Sequence, residues 1–283
     1  MAFWKNLIPA KLRKHKVTIP VVRLHGAIGT GGNFRSGLSL ASSVDSLTRA
    51  FSFKDSPAVA LSINSPGGSP VQSRLIFQRI RQLAADKNKL VLVFCEDVAA
   101  SGGYMIALAG DEVYADPTSI IGSIGVVASG FGFEKAIEKL GIDRRVYTSG
   151  SNKAVLDPFL PENQKDIDHL LELQKEVHEI FIDMVKSRRG DNLSDNEELF
   201  TGQFWTGQTA LQLGLVDGLS DMRAELQARY GDDVELKLIS QKQGLMSKLN
   251  LFGSQIDPVL GSLSPKSLLG TLEERALWSR FGI

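Results

Sequence analysis

Ser101, within "VAASGGYMIALA" (residues 98–109), stands between two alanines and two glycines at the end of an apolar run. A serine at such a junction either caps a helix by accepting a backbone N–H or attacks a carbonyl that small neighbours allow to approach. Attack needs two helpers: donors for the developing oxyanion and a base for the hydroxyl proton. Donors are available at Gly102, whose N–H would lie beside the serine at a helix start. A second bare turn, "INSPGGSP" (63–70), also runs from a strand into a helix and presents backbone N–H groups with no side chain in the way.

The base is less obvious. Of the four histidines, His15 falls in a basic N-terminal stretch and His25 near the end of the first strand. His169 and His178 share one long helix and read as surface or packing residues. No G-x-S-x-G elbow is present. A lysine can replace imidazole when burial leaves its amine neutral near working pH. Lys153, in "TSGSNKAVLDPF" (148–159), has small and apolar neighbours and is the candidate.

These residues must be positioned by strands and helices in alternation. "VTIPVVRLHG" is β-branched and closes on Gly26, and "AVALSINS" and "LVLVFCED" are further apolar runs. Between the last two, Val71, Leu75, Ile76, Ile80 and Leu83 recur at helical spacing, which makes a βαβ unit with parallel strands. Both glycine turns then fall at the carboxyl ends of parallel strands, where open α/β sheets bind ligands. "DEVYADP" predicts another strand, and the charge-free run Pro117–Phe133, with its four glycines, predicts buried strand and turn. The longest helix is expected over Asn163–Arg189, with Ile167, Leu170, Leu171, Gln174, Val177, His178, Phe181 and Val185 on or beside one stripe and Gly190 as its stop.

Composition narrows the functional classes. The 283 residues carry 32 basic and 32 acidic side chains, so no global charge favours nucleic acid. One cysteine forbids an intrachain disulfide, and the scattered histidines give neither a metal motif nor a cofactor site. No apolar stretch approaches the ~20 residues of a membrane span, and no secretory leader is seen, so an intracellular, cytoplasmic protein is expected. Residues 1–16 are basic and amphipathic: they suit either a solvated tail or peripheral contact with the inner membrane face through Phe3 and Trp4. Residues 239–283, rich in Leu, Gly, Ser and Pro, read as a C-terminal extension that docks on something, such as a neighbouring subunit.

Taken together, "INSPGGSP", "VAASGGYMIALA", "IIGSIGVV", "YTSGSNKA" and "FTGQFWTGQTALQLGLVDGL" resemble, in order and approximate spacing, the signal peptide peptidase A family of serine proteases. The resemblance covers roughly residues 17–238. It implies a Clp-protease/crotonase-like α/β fold of repeated βαβ units, with mostly parallel sheets flanked by helices. It also implies a Ser–Lys dyad, with Ser101 as nucleophile and Lys153, 52 positions later, as general base. The Gly68 and Gly102 N–H groups would form the oxyanion hole, and Ser123 would orient the lysine. Substrates would be signal-peptide remnants or other extended or unfolded polypeptides, and the enzyme would assemble as a ring or dome of identical subunits. Activity should rise with pH as the lysine loses its proton. Two other readings stay open: a crotonase-like acyl-CoA enzyme, which holds an oxyanion without serine or lysine, and a non-catalytic assembly module of the same fold.

Overall fold

Apolar runs with no polar alternation need cover on both faces, and the computed structural model shows that cover. It describes residues 16–29, 37–150, 152–240 and 275–282. In chain order the elements are β1 (Thr18–His25), α1 (Leu40–Phe51), β2 (Ala58–Ser65), α2 (Pro70–Lys87), β3 (Leu90–Ala100), α3 (Gly102–Ala107), β4 (Glu112–Ala115), β5 (Ile120–Gly122), α4 (Glu134–Lys139), α5 (Gln164–Arg189), β6 (Phe204–Thr206), α6 (Gly207–Gln212), β7 (Gly218–Leu219), α7 (Met222–Tyr230) and β8 (Glu235–Leu238). The strands form one sheet in the order β6-β5-β3-β2-β1-β8, with β4 and β7 branching from β3. All pairings are parallel except β5 with β6. This is the mostly parallel α/β architecture expected from the sequence.

Side chains alternate between two cores. Val22, Leu24, Val59, Leu61, Val91 and Val93 face the larger one, with α1, α2 and α3. Ile19, Val21, Ala60, Leu92 and Phe94 face the smaller one, beneath Leu226 of α7. Strand β3 is long enough to take two neighbours on one edge: Leu92–Cys95 pair with β4, and Val98–Ala100 pair with β5. Its last residues therefore reach beyond β4 to the level where α3 begins.

Ser69 caps α2 by accepting the Gln72 N–H, and Pro70 occupies the first turn, where its missing N–H costs nothing. Ile76, Ile80 and Leu83 face inward as their spacing requires, whereas Val71 at the helix head is exposed. Helix α5 begins on an Asn163 cap and stops at Gly190, whose φ is 51°. Its expected apolar stripe is only partly buried. Phe181, Val185 and Arg189 pack inward, but among the described residues Leu171 is exposed. The run from Pro117 is likewise buried only as far as Ile124, and from 126 to 150 every residue except Ile137 is exposed. These residues and those up to about 160 form an arm, closed on itself by the stacked rings of Phe133 and Phe159 and by the Arg144–Asp157 ion pair.

The inner end of α5 is fixed firmly. The Arg189 guanidinium donates to both Asp217 carboxylate oxygens at 2.9 Å and, through Nε, to the Gly214 carbonyl at 2.7 Å. Asp217 in turn accepts the Val113 N–H of β4. Of the two segments set apart in the sequence, the tail lies outside the described residues except for Lys16. The extension does so from 241 to 274 and at 283.

Candidate active site

The Ser101 backbone lies at φ 51° and ψ −121°, between the end of β3 and the start of α3. This region is costly for any residue with a Cβ, by about 1–3 kcal/mol. The serine occupies the N-cap position, yet its side chain makes no capping hydrogen bond. Its neighbours hold the strained turn in place. The Ser101 N–H donates to the Gly122 carbonyl at 2.8 Å, and the Ser101 carbonyl accepts the Met105 N–H. A Cβ on Gly67 would lie 2.8 Å from the Ser101 Cβ, so only glycine lets the two turns come this close.

Gly68 and Gly102 meet at this point. The Gly68 N lies 3.4 Å from where a Cβ on Gly102 would stand. The segment after β1 anchors the 67–69 turn: the Ile28 N–H donates to the Gly67 carbonyl, and the Ser69 N–H donates to the Ile28 carbonyl. The Gly68 N–H between them takes no part in that pairing. Among the described residues neither it nor the Gly102 N–H has an acceptor, so two donors stand beside the serine.

Ser123 is brought to the same place. The last pair of β3 and β5 is Ala100 with Gly122, so Ser101 and Ser123 follow on neighbouring parallel strands, which lie about 4.8 Å apart. Ser123 is also strained, at φ 54°. Its N–H donates to the Gln203 carbonyl at 2.7 Å, and the Trp205 ring leaves room only for glycine at position 122.

Lys153 is not joined to this group. It is exposed in the turn after Gly150, and no hydrogen bond links its amine to Ser101 or Ser123. The apolar neighbours that suggested a buried base lie on the arm, where Ala154 and Val155 are half-buried and Leu156 is exposed among the described residues. His25 is engaged elsewhere: its Nε2 lies 2.6 Å from the Ser62 hydroxyl, which donates to Glu96 at 2.5 Å. Burial, opposed by Glu96, holds this imidazole below the ordinary histidine range.

Sequence reasoning missed a support beneath the site. Ile63 pairs with Cys95 but Ser65 pairs with Ala99, so β3 carries two extra residues, Glu96 and Asp97, in a bulge. Asn64 fills the gap by accepting the Val98 N–H and donating to the Asp97 carboxylate. Ser62 holds Glu96. The signal was present as polar residues interrupting an apolar strand, but the register that gives them meaning depends on pairing.

The sequence model of peptidase family S49 matches residues 84–236, more than half of the chain and all of the stretch from β3 through α7. The chain belongs to peptidase family S49. The Clp-protease/crotonase-like fold comes with that membership. A Brucella abortus protein named Na+/H+ antiporter NhaA is 57% identical over 288 residues, 99% of this chain but 39% of its own length. The chain thus spans about two fifths of that relative. The Synechocystis sp. protein slr0021, designated an inferred protease, is 33% identical over 237 residues, 81% of each chain. The chloroplastic serine protease SPPA of Arabidopsis thaliana is 30% identical over 210 residues, 71% of this chain and 29% of its own. Among the described residues of this S49 chain, no helix is long and apolar enough to cross a membrane.

Proposed function

We propose that this S49 chain is a serine endopeptidase that hydrolyses extended or unfolded polypeptides, with Ser101 as nucleophile and Lys153 as general base. The observation that carries the reading is Ser101 itself: strained, not used as a cap, and next to two N–H donors without acceptors among the described residues. Strain of this kind persists only where the surroundings enforce it, and such residues cluster at active sites.

The strained serine and the two N–H donors support acyl transfer through Ser101. The Lys153 amine takes the Ser101 proton as Oγ bonds to the scissile carbonyl carbon. The Gly68 and Gly102 N–H groups stabilise the resulting oxyanion. The lysine returns the proton to the departing amine, and water then hydrolyses the acyl-enzyme. Ser123, one strand away from Ser101, orients the lysine. Among the described residues no hydrogen bond ties Lys153 to Ser101 or Ser123, so on this reading the lysine is delivered by a neighbouring copy through the exposed arm that carries it. No ion transport is assigned to this chain, despite the name of the Brucella relative.

The deciding experiment is cleavage of casein or a signal-peptide-like fluorogenic substrate by wild type, Ser101→Ala and Lys153→Ala, with circular dichroism as the check on folding. Both folded variants should be inactive. Residual turnover at the wild-type rate in Ser101→Ala would end the reading.

A further inference from the structure

His178 emerges from the structure with an unexpected contact. Its Nε2 lies 3.1 Å from the Ile124 carbonyl oxygen, close enough for the ring N–H to donate. Ile124 is fully buried and directly follows the strained Ser123. On α5, His178 lies on the same stripe as Phe181, Val185 and Arg189, one turn before them. Like Ile167, Leu170, Gln174 and Val177 earlier on the helix it is half-buried, whereas Phe181, Val185 and Arg189 after it are buried. The neighbouring residues of the turn are fixed from the other side, Ser123 by the Gln203 carbonyl and Gly122 by the Trp205 ring. The α5 side is held by this imidazole.

We propose that His178 is a positioning residue for catalysis: by donating to the Ile124 carbonyl it holds the Ser123–Gly125 turn, and so the Ser123 hydroxyl, in register with Ser101. This rests on the Ser101 peptidase reading above. The Ser123 backbone lies in a region it would leave if released, and no other side chain among the described residues bonds the Ile124 carbonyl. A loose turn leaves binding of an extended peptide largely intact but misplaces the hydroxyl that orients the base. The defect should therefore appear in kcat rather than in KM.

Methionine and glutamine are of similar length, but only glutamine can donate a hydrogen bond from the position of Nε2. The test compares His178→Gln with His178→Met for kcat, KM, thermal stability and assembly size, with Ser101→Ala as control. His178→Met should lose about tenfold or more in kcat with KM within about twofold, and His178→Gln should recover most of that loss. Equal kcat in wild type and His178→Met would overturn the proposal. So would equal losses in both variants, which would make the ring's bulk rather than its N–H the requirement. A His178→Met chain that no longer folds or assembles would make the contact a fold determinant and overturn it as well. Activity in Ser101→Ala would instead defeat the underlying peptidase reading, so the two failures are distinct.

Discussion

At the scale of single residues, the site is built from backbone that most side chains could not adopt. Ser101 is the clearest case, and its strain gives a test independent of catalysis. Replacing it with glycine removes a penalty of about 1–3 kcal/mol against an entropic cost near 0.5–1 kcal/mol. Ser101→Gly should therefore be more stable than wild type by about 1 kcal/mol, raising Tm by roughly 2 °C, while having no peptidase activity. A lower Tm on calorimetry would mean that the serine stabilises its turn after all. The two oxyanion glycines should differ from one another. At Gly68, with φ 137°, a Cβ would lie 2.2 Å from the Ile28 carbonyl oxygen, and backbone cannot rotate away. At Gly102 the obstacle is the Ser73 hydroxyl at 2.4 Å, which can swing aside by giving up its bond to the Ser69 carbonyl. In denaturant titrations Gly102→Ala should lose about 1 kcal/mol, and Gly68→Ala should lose several-fold more or fail to fold.

At the scale of elements, side-chain networks tie the sheet to its helices, and one of them has a calculable pH response. Glu112 of β4 accepts two hydrogen bonds from Arg229 of α7, at 2.8 and 2.6 Å, and a third from Tyr114. The Arg229 hydrogen bonds hold its carboxyl below the ordinary value of 4.5. A lowered folded-state pKa means stability that is complete above 4.5 and lost as pH falls through the folded value. The Tm difference between wild type and Glu112→Gln should thus narrow as pH drops from about 6 to about 3; a constant difference would show that the charge contributes nothing. The same scale shows what could be read in advance. The βαβ pattern, the Ser69 and Asn163 caps and the Gly190 stop were legible because they are local in sequence. The exposed half of α5 and the arm beyond Ile124 were not: an apolar stripe shows that a face will be covered, not that its own chain covers it. Ser101 was ambiguous for a related reason, since a cap and a nucleophile use the same residue type at the same junction and differ only in torsion angles. His178 reads from the sequence as a surface or packing residue because its acceptor is a carbonyl 54 positions away.

At the scale of the whole molecule, the proposed dyad makes the single chain incomplete. Ser101→Ala keeps the lysine and Lys153→Ala keeps the serine, so mixing the two inactive variants under conditions that exchange subunits should restore activity. Light scattering should give a mass that is a multiple of the 30.8 kDa chain. Mixed assemblies that form but stay inactive would place both groups in one subunit. The bulge in β3 has another consequence, for how the chain tolerates changes in length. Side chains alternate along a strand, so deleting Glu96 alone would turn Ser101 and every residue beyond the bulge to the opposite face. Deleting Glu96 and Asp97 together would keep the facing but draw Ser101 about 7 Å down the strand, below the Gly68 turn. Insertions and deletions between Cys95 and Ser101 should be lethal to activity in either parity, whereas residues 126–150, free of strand pairing, can change length without turning any strand over.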